Sequence, residues 1–221
     1  NSPTILFLHG NSLSSETFRF QFEDMNLNKY HLLALDFPGH GKSAWSENKE
    51  RDYNVFGFRD VVIEFIQALN IKDFIFAGHS LGGHIAIECL PKLSNCKGIM
   101  IWGTPPVSLP LDTSQLFMPN PDVGLFFKPD LSDEELSIIG EITLNYENRD
   151  FIKEIVKLSD SQFRSFLTQS LADGKISDEV NILKSSEIPV AILNGDDDPI
   201  ANKDYLVNLD LPGIWKNKVI L

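Results

Sequence analysis

Short apolar runs punctuate the chain at intervals that suit buried strands. Thr4-Ile5-Leu6-Phe7-Leu8, Leu32-Leu33-Ala34-Leu35, Asp73–Ala77, Lys97–Trp102 and Val190–Leu193 are each apolar on nearly every position. A strand apolar throughout is covered on both faces, unlike the alternating strand of a half-exposed sheet. Lys218–Leu221 reads as the start of a last strand. Between the runs the pattern changes period. From Asp52 to Asn70 the positions Phe58, Val61, Val62, Phe65, Ile66 and Leu69 recur with helical spacing, and Asp52 is placed to cap that helix. A shorter helix is expected near Thr17–Asp24. Strands alternating with helices predict an α/β domain with a mostly parallel sheet and helices on both faces.

Residues 106–186 break the alternation. Pro105, Pro106, Pro110, Pro119, Pro121 and Pro129 cluster at the entry. Three helices are then expected. Ser132-Asp133-Glu134-Glu135 is a capping box opening the first. Asn148 or Asp150 caps the second, which runs through Leu158. Ser159 or Asp160 caps the third, with Gly174 closing it. The segment reads as a helical cap inserted into a core formed by residues 1–105 and 187–221. Its phenylalanines 117, 126, 127, 151, 163 and 166 are candidates for an apolar pocket, although most such rings only pack a cap onto its body.

Composition adds bounds. A chain of 221 residues with 43% hydrophobic and 23% charged residues can bury one sizeable core. The net charge is −12, which argues against nucleic acid or an anionic membrane as partner. No apolar run reaches the ~20 residues of a membrane span, so a cytoplasmic location is expected. The two cysteines, Cys89 and Cys96, have no metal-ligand spacing and make no disulfide framework. No metal or other cofactor is expected.

The candidate chemistry starts at Gly78-His79-Ser80-Leu81-Gly82, which sits between an apolar run and the helix-like His84–Leu90 stretch. A G-x-S-x-G joining strand to helix is a nucleophile elbow, whose sharp turn demands small residues two before and two after the serine. It puts Ser80 at a helix N-terminus, where developing negative charge is favoured. A serine nucleophile needs oxyanion donors, a base and an acid that orients the base. The N–H of Leu81 is one expected donor, and that of Asn11, in the loop His9-Gly10-Asn11 after the first strand, is the other. His9 reads as a brace for its turn rather than as the base.

The acid is expected after Val190–Leu193, where Gly195-Asp196-Asp197-Asp198-Pro199 offers three aspartates. Asp198 is the first choice and Asp197 the second. The base is missing: His9, His31, His40, His79 and His84 all precede the acid, whereas the order Ser…Asp…His demands a later one. The expectation is that the chain is truncated and that the histidine lies just beyond Leu221.

Leu8-His9-Gly10-Asn11, Asp36-Phe37-Pro38-Gly39-His40-Gly41-Lys42-Ser43, Gly78–Gly83 and Gly195–Pro199 occur in the order and at the spacing of the α/β-hydrolase superfamily, which the chain resembles over nearly its whole length. The resemblance selects Asp198, three residues after the glycine. It also implies two further strands before Thr4. Within the superfamily, His9–Ser12, Ser80–Ile85, Gly103-Thr104-Pro105-Pro106-Val107, Asn194-Gly195 with Pro199, and Ile214-Trp215 resemble the metal-free N-acyl-homoserine lactonases. The chain departs from them twice. They carry glutamate where Asp198 stands, and a cap tyrosine that contacts the lactone, whose position aligns with Ile139; Tyr146 is the cap tyrosine available here. The resemblance implies a serine hydrolase of a small carboxylic ester or lactone, working through an acyl-enzyme on Ser80. The alternative is a non-catalytic ligand-binding protein on the same fold.

Overall fold

The computed structural model describes residues 2–143 and 148–221. Five strands, β1 (Thr4–Leu8), β2 (His31–Leu35), β3 (Phe74–His79), β4 (Cys96–Trp102) and β5 (Val190–Leu193), form one sheet in the order β2-β1-β3-β4-β5. Every pairing is parallel, with Leu8 opposite both Leu35 and Gly78, and His79 opposite Trp102. All strand carboxyl ends therefore lie on one edge, where open parallel sheets bind ligands. The run near residues 218–221 makes no named strand, but Leu193 bridges Ile220 in parallel and Ile220 N donates to Ile192 O at 2.9 Å.

Side-chain alternation divides the strands between two faces. One face, carrying Leu6, Leu8, Phe74, Phe76, Ile99 and Ile101, packs in the main core with α3 (Val55–Ala68) and α4 (Leu81–Cys89). The other, with Ile5, Phe7 and Ala77, is covered by Phe18, just before the short helix α1 (Arg19–Glu23). Cover is thus heavier on the first face. The helical period of 52–70 resolves into two elements: α2 (Lys49–Asp52) ends where the cap was expected, and Asn54 caps α3 by accepting from Gly57 N at 3.0 Å. Asp52 instead engages Arg51 and Ser46, local partners that take its carboxylate away from the helix N-terminus.

Beyond β4 come α5 (Thr113–Leu116), α6 (Asp133–Thr143), α7 (Arg149–Lys157) and α8 (Gln162–Ala172). The capping box forms as read: Ser132 Oγ accepts from Glu135 N, and Glu135 Oε2 accepts from Ser132 N. Gly174, at φ +73°, follows α8 as its stop. A helix not foreseen, α9 (Glu179–Ser185), buries Leu183 in the main core, and α10 (Lys203–Val207) buries Leu206 there. Leu13, Leu136, Ile139, Ile152, Ile155 and Val156 make a separate core for α6 and α7. Both cysteines are free thiols and buried. Among the described residues no helix is long and apolar enough to cross a membrane.

Candidate active site

Ser80 stands between β3 and α4 with φ 49° and ψ −120°. A non-glycine residue pays on the order of 1–3 kcal/mol for such a backbone and keeps it only where its surroundings fix it. They do so here. Ser80 N donates to Trp102 O at 3.0 Å, its carbonyl accepts from Gly83 N at 2.8 Å, and Thr104 Oγ1 lies 3.0 Å from that carbonyl. The turn closes because its flanks lack side chains. A Cβ on Gly78 would stand 2.7 Å from Gly82 O and Gly83 N, and one on Gly82 would run into the carbonyl of Leu8.

Leu81, the first residue of α4, and Asn11, after β1, line the same cavity as Ser80. Their backbone N–H groups have no acceptor among the described residues. For Leu81 the reason is general, because the first N–H groups of a helix have no partner inside it. Asn11 is held by its side chain. Nδ2 donates to Phe126 O at 2.9 Å, and Oδ1 accepts from Ser12 Oγ at 2.7 Å. Ser12 Oγ in turn accepts from Arg164 Nη1 at 2.9 Å. Arg164, buried in α8, also donates to the carbonyls of Lys128 and Pro129, each at 2.6 Å. The loop that carries Asn11 is thus tied to the 126–129 segment from both of its ends. Ser12 and Arg164 are 152 residues apart, and no local pattern announced the link.

The three aspartates separate by partner. Asp196 pairs with Lys203 at 2.6 Å and Asp197 is exposed. Asp198 turns inward: Oδ1 accepts from Ile200 N at 2.8 Å and Ala201 N at 2.9 Å. Its Oδ2 would lie 3.9 Å from a Cβ placed on Gly103, at the end of β4, and His79 Nε2 would lie 3.5 Å from the same point. Asp197 and Asp198 both line the cavity. The structure therefore gathers Ser80, Leu81, Asn11 and Asp198 around one space.

His9, His31, His40 and His84 hydrogen-bond to other groups, while His79 lines the cavity. His9 Nδ1 donates to Gly10 O at 2.8 Å, and its Nε2 accepts from Phe37 N at 3.0 Å. Burial pulls its pKa down to about 4, so it is a neutral brace for its turn. Burial likewise pulls His40 to about 3 and His79 to about 4. His79 stacks on Trp102 with ring centroids 5.9 Å apart. His31 lies near Thr4, at the start of the sheet. His84 bonds to Glu179. None of the five is hydrogen-bonded to Ser80 Oγ or to Asp198 among the described residues.

The cavity has a volume of about 830 Å³ and is mainly apolar, with Leu13, Val107, Leu167 and Leu171 in its wall, a size and character suited to a small organic ligand. Of the six phenylalanines singled out in 106–186, Phe117, Phe126 and Phe127 line it. Phe163 and Phe166 belong to the main core, and Phe151 packs in the separate α6–α7 core under the Arg19 guanidinium. Ile139 is buried in the α6–α7 core rather than on the cavity. Tyr146 lies outside the described residues.

The model of the alpha/beta hydrolase family matches residues 5–212. Crystal structures of N-acyl homoserine lactonase AidH, one complexed with N-hexanoyl homoserine lactone and another with N-butanoyl homoserine, superpose with a TM-score of 0.94. At 30% identity they cover 99–100% of this chain and 80% of theirs. "Putative esterase/lipase 1" of Mycoplasma genitalium is 30% identical over 126 residues, 53% of this chain and 44% of that protein. Its namesake in Mycoplasma pneumoniae is 29% identical over 150 residues, 66% and 51%. The chain thus spans about half the length of the curated relatives it matches.

Proposed function

The chain belongs to the alpha/beta hydrolase family, and on that premise we propose that it cleaves a small carboxylic ester or lactone by acyl transfer to Ser80. The observation that carries the reading is the strained Ser80 backbone on the wall of an apolar cavity shared with the unpartnered N–H groups of Asn11 and Leu81. Ser80 Oγ attacks the carbonyl carbon while its proton passes to an imidazole. The two N–H groups hold the oxyanion, a contribution worth about 3–4 kcal/mol for each donor. The carbon–oxygen bond to the alcohol breaks and the alcohol oxygen takes the proton. Water then releases the acyl group by the same route reversed. Asp198 Oδ2 orients the imidazole and stabilises its charged form. None of the five histidines is hydrogen-bonded to Ser80 Oγ or Asp198 among the described residues, and the reading leaves the imidazole unassigned. In this reading residues 106–186 act as the cap over a core of 1–105 and 187–221, although α9, within the cap range, packs on the core side.

The likeness to AidH supports a lactone among the candidate substrates. Asp198 in place of the lactonases' glutamate, and Ile139 buried where they carry a tyrosine, favour a broader ester class. That no histidine bonds to Ser80 or Asp198 among the described residues favours one competing reading, a binding protein that has kept the fold without the chemistry. Treatment of the protein as its organism makes it with a fluorophosphonate, which phosphonylates activated serines with loss of fluoride, decides between them. A single adduct that disappears in Ser80→Ala supports the hydrolase, and ester and lactone panels then rank the substrates. No adduct on the folded natural protein leaves the binding reading.

A further inference from the structure

One part of the cavity wall carries charge. His84 lies one turn beyond Ser80 on α4, lines the same cavity and keeps 15% of its side chain exposed. Its Nδ1–H donates to the carboxylate of Glu179, 3.0 and 2.8 Å from the two oxygens. Glu179 is fully buried at the start of α9 and also accepts from Val107 N at 2.8 Å. Burial alone would push the imidazole down. The charge and hydrogen bond of Glu179, with the charge of Glu88, outweigh burial and hold His84 above its ordinary value.

A tie between α4 and α9 accounts for Nδ1 and leaves Nε2 over. Nε2 has no partner among the described residues, yet it is not one of the polar atoms sealed away from solvent. Val107, which shares Glu179 with His84, clusters with Leu171 and Ile176 on the cavity wall, and an apolar surface gains nothing from an open polar nitrogen unless a ligand takes it. The charge balance narrows that ligand. When His84 is protonated, Glu179 balances its charge, and Glu88, which accepts from Ser177 N and Oγ, adds a further negative charge nearby. A carboxylate would meet no net positive charge there, whereas a neutral oxygen would meet a charge-assisted donor.

We propose that His84 Nε2 is a specificity contact for a neutral oxygen, a keto or hydroxyl group, carried on the substrate chain that occupies the Val107–Leu171–Ile176 side of the cavity. This rests on Ser80 as the reacting centre. Four helical residues separate the two positions by about 6 Å of axial rise, which sets the oxygen several bonds from the scissile carbonyl.

Straight-chain acyl amides test this without turnover. The keto group is walked along the acyl chain in one series and along the N-alkyl chain in a second, each against the unsubstituted parent of equal length. Dissociation constants are read by calorimetry on the natural protein, beside its turnover of the matching unsubstituted ester. One keto position should bind about tenfold tighter than its parent, and the series that contains it identifies the arm. A terminal carboxylate at that position should bind more weakly than the ketone. In His84→Leu the keto-to-parent ratio should fall to about one, a ratio taken within the variant and so insensitive to a general loss of affinity. Should that variant not fold, the unaltered protein should lose the preference as pH rises and Nε2 gives up its proton. No tighter keto position in either series, or a preference that survives in His84→Leu, overturns the proposal. Ester turnover without keto preference overturns it alone; keto preference without ester turnover overturns the Ser80 reading instead.

Discussion

Ser80 shows how much of a site a few residues can write into the local sequence. The sharp turn at Ser80 was legible because it is a backbone requirement: a φ of 49° at residue 80 and close approach at Gly78 and Gly82 leave few residue types that fit. The choice among three aspartates was not legible from chemistry, because like residues in a row differ only in what surrounds them. Asp196 is spent on Lys203 and Asp197 faces solvent, while Asp198 is fixed by two backbone donors with one oxygen turned toward Gly103. Asp198→Asn keeps an acceptor for Ile200 N and Ala201 N but loses the negative charge. In the hydrolase reading kcat should fall about 10³–10⁴-fold, with Asp197→Asn within a few-fold of the parent in the same ester assay. Equal losses in the two variants would remove Asp198 from its role. His84 and Glu179 were hidden for another reason: they are 95 residues apart, and a buried ion pair has no sequence period.

Among the elements, strands and amphipathic helices followed their apolar patterns closely, whereas helix starts depended on competition for side chains. Asp52 and Asn54 are both suitable caps. The structure uses Asn54 because Asp52 closes a separate turn and bonds to its own neighbours. Asn54→Ala should cost about 1 kcal/mol in urea unfolding, and an unchanged midpoint would count against that cap. Helix α8 has a second task. Arg164 reaches from it to Ser12, and Ser12 holds the Asn11 side chain, so the loop that carries Asn11 and the 126–129 segment share one buried cation. Arg164→Met leaves Ser12 Oγ without that donor and frees the carbonyls of Lys128 and Pro129. Unsatisfied buried groups cost about 1–3 kcal/mol each, so the thermal midpoint should drop. If Arg164 positions the Asn11 N–H, kcat should fall about tenfold or more with KM little changed. A drop in midpoint with kcat intact at a temperature where the variant is folded would make Arg164 structural only.

At the scale of the molecule, the parallel sheet and its one functional edge were readable from strand spacing, and the uneven cover of its faces was not, because the strands are apolar on both sides while the second face relies on Phe18. The interior that results is unusual in one respect that can be measured. His9, His40 and His79 are held neutral by burial, with pKa values near 4, 3 and 4, and His40 Nε2 is sealed without a partner. In the unfolded chain each would titrate near 6.5. Below that pH the unfolded state binds protons that the folded state refuses, so these three groups leave stability unchanged above about pH 6.5 and lower it as pH drops toward 4. His84 works in the opposite sense. Its raised pKa contributes fully below about 6.5 and fades as pH rises through the folded value, so it does not produce the acid loss. Asp36, whose bonds from Lys42 N and Ser15 N outweigh burial and hold its carboxyl below the ordinary range, adds a further loss only at lower pH. With three groups refusing protons, the slope between about pH 5.5 and 4.5 should approach roughly 4 kcal/mol per pH unit. His40→Gln removes one titrating group and should lower that slope by about 1.4 kcal/mol per unit. Urea midpoints taken at half-unit steps from pH 7.5 to 4 read both numbers, and a flat profile would mean that these histidines take up protons in the folded state.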